Sequence, residues 1–490
     1  MNARFSPSKI VPLAAVGALV ASLPHVAHGA DAKKPNILYI LTDEWRGSAT
    51  GYAGDPNVKT PHLDKLAGQS LDFPNAVSVQ PVCTPYRAAL NTGRYPTSTG
   101  MFFNDAHLPD KELCMAEIFD AAGYTTGLIG KWHLDGHGRM AYIPPARRQG
   151  WEYWKAAECD HNYAHSHYYT DDSPEKHFWP GLDAPAETKD AQAYLRDHAK
   201  GDKPFVLMVS YGMPHFPYMA APKDLEALYP PDKIKLPPNV PPDMRKAARK
   251  NAQGYYAFCT LLDQCIGDLM KTLDETGLAK NTIVVFTADH GETLGGHGVR
   301  PSNKQVPWSE SAVVPFLLRI PDVAAGKVTT PLNTPDILPT LLGLTGVEVP
   351  KTIEGENLSA SIKDGKNLDR AALYMGISPF LGVAPELRRP YRAIRTDRYT
   401  YVRDLNGPWL LFDDKADPFE MKNLAGNKDL VAKLDARLQA ELKKIGDKFH
   451  PAEWYIKEWG YHVTPGHSVG YAPMVPDDKV QTPHRSNGGQ

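Results

Sequence analysis

The sequence has little net charge and no low-complexity composition. Its 490 residues include 54 lysines and arginines against 56 aspartates and glutamates, a formal charge of −2. Without a global basic field, the chain is not expected to bind nucleic acid or an anionic membrane surface. The 39 glycines and 44 prolines stay below the roughly 25–30% at which low-complexity chains begin. We therefore predict a loop-rich globular protein in which any anionic ligand is held by a local site.

A long hydrophobic run is also missing. The apolar run at residues 10–23 has 14 residues, whereas a membrane span needs about 20. Arg4 and Lys9 precede it, and the small-x-small site Ala27-His28-Gly29 follows it. This pattern predicts a signal peptide over residues 1–29, with a retained N-terminal anchor as the alternative. We expect no membrane span after cleavage and a periplasmic or secreted location.

Cysteine is scarce, and its number is odd. The five cysteines are Cys83, Cys114, Cys159, Cys259 and Cys265. Disulfides can form in an exported protein, but an odd count suggests that one cysteine has a role other than pairing. The sequence leaves any disulfide pairing open.

Four short apolar runs predict the strands of a parallel sheet. They are residues 37–41, 125–129, 205–209 and 283–286. Such runs, separated by helical patterns, are typical of buried parallel strands. Helices are predicted over residues 115–122 and from about 252 to 276. The predicted fold is α/β, with a large doubly wound, mostly parallel sheet flanked by helices.

Each of these runs is followed by polar residues. The set comprises Asp43, Glu44, Lys131, His133, His215, Asp289 and His290. Because ligands bind beyond the carboxyl ends of the strands in doubly wound sheets, we expect these side chains to converge on one edge. Carboxylates, cations and imidazoles together suit a metal-assisted reaction on an anion. The alternative is that they are ordinary polar residues at strand ends.

Cys83 is predicted to lie at the start of a helix. Pro85 occupies the first turn, and Gly93 stands where the helix would end. Backbone N–H groups at a helix N-terminus favour an anion, and Arg87 falls on the same face. A bare thiolate suits an oxygen-rich cation site poorly, because soft sulfur prefers other metals. A modified cysteine fits this position better.

At these residues the sequence resembles the formylglycine-dependent sulfatases of the alkaline phosphatase superfamily. The resemblance runs from Lys34 to about Leu424. The segment Cys83-Thr84-Pro85-Tyr86-Arg87 matches the family motif C-x-P-x-R, and residues 123–133 match the second signature G-Y-x-T-x-x-x-G-K-x-H. The segment Asp289-His290-Gly291-Glu292 matches the metal-binding D-H/N-G-E.

The resemblance implies a cofactor and a metal site. Cys83 would be oxidised to formylglycine by a separate formylglycine-generating or sulfatase-maturating enzyme, and the hydrated aldehyde would attack the sulfur. A divalent cation, Ca²⁺ first and Mg²⁺ second, would be held by residue 83, Asp43, Asp289 and His290. The family often has Asp-Asp where this chain has Asp43-Glu44. Glu44 is favoured as a further ligand, with a structural role as the alternative.

The resemblance also assigns the remaining catalytic residues. Arg87, Lys131 and Lys304 would surround the sulfate. His133 would act as the base for sulfate release, and His215 as the acid that protonates the leaving oxygen. Considered without the family motifs, His215 would be equally consistent with capping a turn, and Lys304 would be interpreted as a solvated lysine in a loop.

The chain is predicted to be an exported sulfatase. Its substrate would be a sulfated carbohydrate or another sulfate ester. The alternative is a phosphodiesterase or phosphonate monoester hydrolase of the same superfamily. A non-catalytic glycan-binding module is the third hypothesis, although binding alone does not require this combination of residues.

Residues 30–385 are predicted to form the catalytic domain and residues 386–490 a smaller C-terminal subdomain. Alternation predicts antiparallel strands at residues 391–395, 399–403 and 409–412, then a helix over residues 428–445. The tail beyond His450 shows no clear periodicity. Its aromatic residues Trp454, Trp459 and Tyr461 would complete a substrate pocket or only pack.

The segment 159–169 is rich in histidine and aromatic residues but lacks regular metal-ligand spacing. We predict a polar surface loop there. The alternative is a substrate-recognition loop that stacks on sugar rings.

Overall fold

The computed structural model describes residues 33–378 and 387–463. The predicted signal peptide, the end of the C-terminal tail and the expected domain boundary near residue 386 lie outside the described residues. Within these limits, no helix combines the length and apolar composition needed to cross a membrane.

The strands are numbered along the chain. They are β1 Asn36–Asp43, β2 Leu71–Asp72, β3 Ala76–Val77, β4 Thr125–Lys131, β5 Tyr153–Ala157, β6 His167–Thr170, β7 His177–Phe178, β8 Phe205–Pro214, β9 Thr282–Ala288, β10 Phe316–Arg319, β11 Gly326–Lys327, β12 Leu332–Asn333, β13 Ala372–Gly376, β14 Tyr391–Arg395, β15 Tyr399–Asp404 and β16 Gly407–Asp413.

The α-helices are numbered in the same way. They are α1 Pro61–Ala67, α2 Cys83–Thr92, α3 Pro96–Thr99, α4 Met115–Ala121, α5 Asp183–His198, α6 Lys223–Glu226, α7 Arg245–Glu275, α8 Ser309–Ala312, α9 Thr334–Thr345, α10 Ser359–Lys363, α11 Lys428–Lys444 and α12 Ala452–Glu458.

A ten-stranded sheet forms the centre of the fold, in the order β11-β2-β10-β9-β1-β8-β4-β5-β6-β7. The four predicted runs are β1, β4, β8 and β9, and they lie side by side in parallel. Ile37 of β1 is opposite Val206 on one side and Ile283 on the other. Every residue of β1 is buried, as expected for a strand covered on both faces. The predicted α/β fold is confirmed.

The long helix α7 begins earlier than predicted. The sequence indicated a start near residue 252, whereas the helix begins at Arg245. Its first three residues are exposed, so no apolar periodicity marks them. The expected end is confirmed, because Gly277 adopts the left-handed conformation with φ 75° just beyond the helix.

The C-terminal sheet has the antiparallel order β13-β14-β15-β16. Its last three strands and helix α11 confirm the predicted elements. The sequence missed β13, because all five residues of this strand are buried and show no alternation. The tail was also misread, since α12 follows His450. A helix of seven residues is too short to show a clear period.

All five cysteines lie in the described part of the chain, and each has a free, buried thiol. The possibility of disulfides left open by the sequence is therefore not realised in this structure.

Glu420 connects the C-terminal region to helix α8. Its carboxylate accepts hydrogen bonds from the Ser309 hydroxyl at 2.6 Å and the Ser309 N–H at 3.0 Å. Burial, followed by the charges of Glu310 and Asp414, raises the pKa of Glu420 to about 8. The folded state keeps the proton on Glu420 up to about pH 8, whereas the unfolded state loses it near the ordinary glutamate pKa. The contribution of Glu420 to the free energy of unfolding is therefore fully present below the ordinary glutamate pKa. It declines as the pH rises to about 8.

We predict that Glu420→Gln flattens the decline in stability between pH 5 and 8, because the amide does not titrate. The slope should change by up to about 1.4 kcal/mol per pH unit, measured by denaturant unfolding at several pH values. Glu458→Gln, at an exposed position, is the control. Equal slopes for wild type and Glu420→Gln would contradict the assignment.

Candidate active site

The end of β1 brings two adjacent carboxylates to the same edge of the sheet. Strand alternation would point Asp43 and Glu44 to opposite faces. However, Glu44 has φ 67°, so the extended chain ends at Asp43. The Glu44 N–H then donates to Asp289 Oδ1 at 3.0 Å. Asp289 directly follows β9, the neighbour of β1, so parallel pairing brings the two strand ends together.

Helix α2 places the cysteine beside these carboxylates. Cys83 is its first residue, and Gly93 ends the helix with φ 65°, as the sequence predicted. The Cys83 Sγ lies 3.6 Å from Asp43 Oδ1 and 3.3 Å from His290 Nε2. Ligand atoms of Asp43, Cys83, Asp289 and His290 all lie within 4.8 Å of one another.

Three cations surround this cluster. Arg87, one turn along α2, donates to Asp289 Oδ2 from Nε at 3.2 Å and from Nη2 at 3.0 Å. Lys131 at the end of β4 pairs with Asp43. The Lys304 Nζ lies 3.8 Å from Cys83 Sγ. All three side chains are almost fully buried, so their charges act in a medium of low dielectric constant.

The two predicted catalytic histidines occupy different surroundings. The Nε2 of His215 lies 2.7 Å from Lys304 Nζ and 3.1 Å from Glu44 Oε2. The Nε2 of His133 instead lies 2.9 Å from Asp105 Oδ1. Its Nδ1 is buried without a hydrogen-bond partner among the described residues.

The electrostatics of the site follow from burial and from its cations. Burial raises the pKa of the Cys83 thiol to about 12, with a further contribution from Asp43. Burial also lowers the pKa of His133 and of His290 to about 4. The pKa of Asp43 remains well below its usual value despite burial, because Lys131 is the strongest of several cations that favour the carboxylate.

The donor set fits a divalent cation. Two carboxylates and an imidazole converge with the side chain of residue 83, and carboxylate oxygens are the ligands that hard divalent cations prefer. A second group, Asp43, Glu44 and His215, is equally compact. Both oxygens of Glu44 are buried and accept no hydrogen bond from the described residues.

Sequence analysis missed two residues that support the site. Asp105 holds His133 and is itself paired with Arg139. Ser210 of β8 accepts a hydrogen bond from Arg87 Nη1 at 2.8 Å. Neither residue lies in a signature motif. The position of Ser210 near a strand end was the only available signal.

The prediction of a polar surface loop at residues 159–169 is only partly right: residues 159–166 form a loop in which residues 162, 164 and 165 are exposed, but residues 159, 163 and 166 are buried. His161 stacks on His215 with ring centroids 4.2 Å apart and an angle of 15° between the planes. The buried Tyr163 hydroxyl lies 2.6 Å from the carbonyl of His215, and residues from His167 onward form β6. Cys159 Sγ lies 3.3 Å from His161 Nε2. Aromatic packing and backbone hydrogen bonds therefore hold this segment against the active site.

Two of the three aromatic residues of the tail, Tyr461 and Trp459, pack against Gly100. The Tyr461 hydroxyl donates to the Gly100 carbonyl at 2.7 Å, and Trp459 covers the face of Gly100, where a Cβ atom would lie 2.4 Å from its ring. Trp454 is 43% exposed and stacks on His450.

Comparison with known proteins identifies the family. The sulfatase family model matches residues 35–347, more than half of the chain. The chain belongs to the sulfatase family. It is a sulfuric ester hydrolase. A second family model, described as N-sulphoglucosamine sulphohydrolase, C-terminal, matches residues 295–448 of this sulfatase.

Individual relatives agree with this assignment. The sulfatase is 52% identical to an ulvan-active sulfatase from Formosa agariphila, over 87% of this chain and 85% of the relative. It is 31% identical to an endo-4-O-sulfatase from Bacteroides thetaiotaomicron, over 87% and 94% of the two chains. A crystal structure from Bacteroides fragilis, also described as a sulfatase, superposes with a TM-score of 0.79 at 30% identity and covers 88% of this chain and 99% of that one.

Glu44→Gln tests the second carboxylate after β1. The substitution keeps the volume of the side chain and removes its charge, so we expect about 10- to 100-fold weaker cation binding and a slower reaction. Isothermal titration calorimetry with Ca²⁺ and a sulfate-release assay measure the two effects. Glu112→Gln, at a buried carboxylate paired with Arg94, is the matched control. Unchanged affinity and rate would give Glu44 a structural role.

Proposed function

We propose that the chain is an exported sulfatase that removes sulfate esters from a sulfated polysaccharide, using formylglycine at position 83 and a divalent cation. The observation that carries the proposal is the convergence of Asp43, Cys83, Asp289 and His290 within 4.8 Å, surrounded by buried cations. Export rests on the predicted signal peptide at residues 1–29.

We assign Asp43, Asp289 and His290 as ligands of Ca²⁺, with Mg²⁺ as the second choice, and Glu44 as a further ligand. When bound, the cation supplies positive charge that orients the sulfate and stabilises the attacking oxygen. The oxygen-bearing side chain of formylglycine suits such a cation better than a thiol does. Maturation requires a formylglycine-generating or sulfatase-maturating enzyme as a partner.

Arg87, Lys131 and Lys304 bind the sulfate. Lys131 is fixed by its ion pair with Asp43. Lys304 is fixed by its contact with His215, and Arg87 by its ion pair with Asp289. Because their charges are held in place before the substrate arrives, little reorganisation accompanies the reaction. Loss of one such donor costs about 2.7–4 kcal/mol of transition-state stabilisation in comparable sites.

His133 is the base for sulfate release. With Nε2 donating to Asp105, the buried Nδ1 carries the lone pair. Asp105 therefore selects the tautomer, as a carboxylate does for other catalytic histidines. Formylglycine at position 83, once hydrated, would supply both the hydroxyl that attacks sulfur and a second hydroxyl whose deprotonation would expel inorganic sulfate and regenerate the aldehyde.

His215 and Lys304 provide the proton for the leaving alcohol. The Nδ1 of His215 lies 2.5 Å from the Phe216 carbonyl, so Nδ1 carries a proton and Nε2 accepts one from Lys304 Nζ at 2.7 Å. We assign the proton between Lys304 Nζ and His215 Nε2 as the one that is transferred to the bridging oxygen, which joins the sulfur to the leaving alcohol.

We predict that the effect of His215→Ala depends on the leaving group. The rate on a sugar sulfate should fall about 10²- to 10⁴-fold, whereas 4-nitrophenyl sulfate should be affected much less, because its leaving group needs no proton. His167→Ala, at a buried histidine paired with Asp160, is the control. Equal losses on both substrates would contradict a role for His215 in delivering the shared proton to the leaving oxygen.

The substrate class is tested with a panel of ulvan, chondroitin sulfate and heparan sulfate oligosaccharides, read by released sulfate. The 52% identity to an ulvan-active sulfatase makes ulvan oligosaccharides the first expected substrate. A phosphate diester and a phosphonate monoester test the alternative function. Faster hydrolysis of either phosphorus ester than of every sulfate ester would overturn the proposal.

A further inference from the structure

A cavity lies outside the catalytic cluster formed by Cys83 and the residues around it. It has a volume of about 590 Å³ and is lined by parts of residues 46–57, 72–74, 235–238 and 309–316 together with residues around 395–419. None of the active-site residues Cys83, Arg87, Lys131, His215 and Lys304 lines it. Its volume falls within the range of about 300–1,000 Å³ that is typical of small-ligand sites.

Arg46 contributes two unsatisfied hydrogen-bond donors to the cavity wall. The side chain is 4% exposed, and its Nε and Nη1 atoms are buried without a hydrogen-bond partner among the described residues. The backbone is fixed, because the Arg46 N–H donates to the Tyr255 hydroxyl at 3.0 Å and its carbonyl accepts from Ala49 N–H. A guanidinium keeps its N–H donors at every physiological pH, and leaving two of them buried without an acceptor is costly.

Other lining residues offer both donors and acceptors. The hydroxyl of Tyr52, Oε2 of Glu310 and Oδ1 of Asp414 are buried and have no hydrogen-bond partner within the described parts of the chain. All three residues line the same cavity as Arg46. A ligand with only an anionic group would satisfy the donors but would leave Oε2 of Glu310 and Oδ1 of Asp414 without a donor.

The apolar part of the wall includes several rings. Phe73, Phe316 and Phe419 line the cavity together with Pro237 and Pro238. Flat apolar surfaces beside a few polar groups are the usual environment for a ring-shaped polar ligand.

We propose that this cavity is an accessory binding site for an acidic saccharide unit. Its carboxylate or sulfate accepts hydrogen bonds from Arg46 and Tyr52, and its hydroxyls donate to Glu310 and Asp414. The choice of a saccharide rests on the proposed function, whereas the anion at Arg46 follows from the cavity alone. The site would hold a second unit of a polymeric substrate away from the catalytic cluster.

Isothermal titration calorimetry of the mature enzyme tests the proposal with four probes: glucuronate, glucose 6-sulfate, glucose and inorganic sulfate. We expect the two acidic sugars to bind more tightly than glucose, and the tighter of them identifies the preferred anion. Arg46→Gln should weaken that binding about 10- to 100-fold. Ala53→Trp, which fills the cavity at an exposed lining position without altering Arg46, should do the same.

Lys304→Ala, in the catalytic cluster, locates the binding. Retained affinity for glucuronate in this variant supports the accessory site, whereas loss of affinity there and not in Arg46→Gln overturns it. In Lys304→Ala, inorganic sulfate binding as tightly as the acidic sugars would also overturn it, because the ring would then contribute nothing. If Arg46→Gln fails to fold, Ala53→Trp decides the result. Glucuronate and glucose carry no sulfate ester, so their binding is read without turnover, and absence of sulfate release would contradict the proposed function alone.

Discussion

The Cys83→Ala variant is expected to release sulfate at least about 10⁴-fold more slowly than the wild type, in line with loss of a nucleophile elsewhere. Alanine cannot be converted to formylglycine, so the attacking hydroxyl is never formed. The loss should be confined to the rate, because Cys83 packs few apolar atoms and the fold does not depend on it. Sulfate release and thermal unfolding measure the two quantities.

Cys114→Ala is the matched control for this variant. Cys114 is also buried and also lies at the start of a helix, α4, but it belongs to none of the signature motifs and to none of the candidate metal-binding groups of the described residues. It should retain the wild-type rate. Peptide mass spectrometry of the active enzyme should show an aldehyde in place of the Cys83 thiol. Full activity with a wholly unmodified Cys83 would exclude the formylglycine mechanism.

Asp289→Asn is expected to lose both the cation and the reaction. Asp289 offers Oδ1 to the metal cluster, and its Oδ2 holds Arg87 with two hydrogen bonds. The amide removes the charge that both interactions need. Sulfate release should fall at least about 10³-fold, and metal analysis of the purified protein should show reduced Ca²⁺ or Mg²⁺ occupancy.

Asp336→Asn separates this effect from a general loss of stability. Asp336 is fully buried and pairs with Arg370, so both variants lose the charge of a buried carboxylate–arginine pair and both should unfold more easily. Only Asp289→Asn should lose metal and activity. Stoichiometric metal and a normal rate in Asp289→Asn would show that the proposed metal site is wrong.

The central strands and the helix that begins with Cys83 could be predicted from local pattern. The runs at residues 37–41 and 283–286 are buried on both faces, so their composition reports directly on their environment. The start of α2 at Cys83 and its end before Gly93 follow from local backbone preferences that the sequence carries. Resemblance to the sulfatase motifs then supplied the proposed catalytic residues without any tertiary information.

The parts that sequence analysis misread depend on packing between distant segments. Strand β13 is identified only by its pairing with β14, because its own residues do not alternate. His161 was assigned to the surface, since a stacked partner 54 residues along the chain leaves no local pattern. Asp105 and Ser210 are polar residues whose partners are known only once the chain has folded.

By itself, the sequence determined the α/β class, the motif residues and their chemical types, because periodicity, composition and motif spacing are local properties. Only the tertiary structure decided how those residues meet. Glu44 and Asp289 are 245 residues apart, yet their backbone and carboxylate form a hydrogen bond. Parallel pairing of β1 with β9 brings these strand ends together, and the left-handed conformation of Glu44 then turns a second carboxylate towards the site. Such long-range contacts depend on the whole sheet, which no local pattern records.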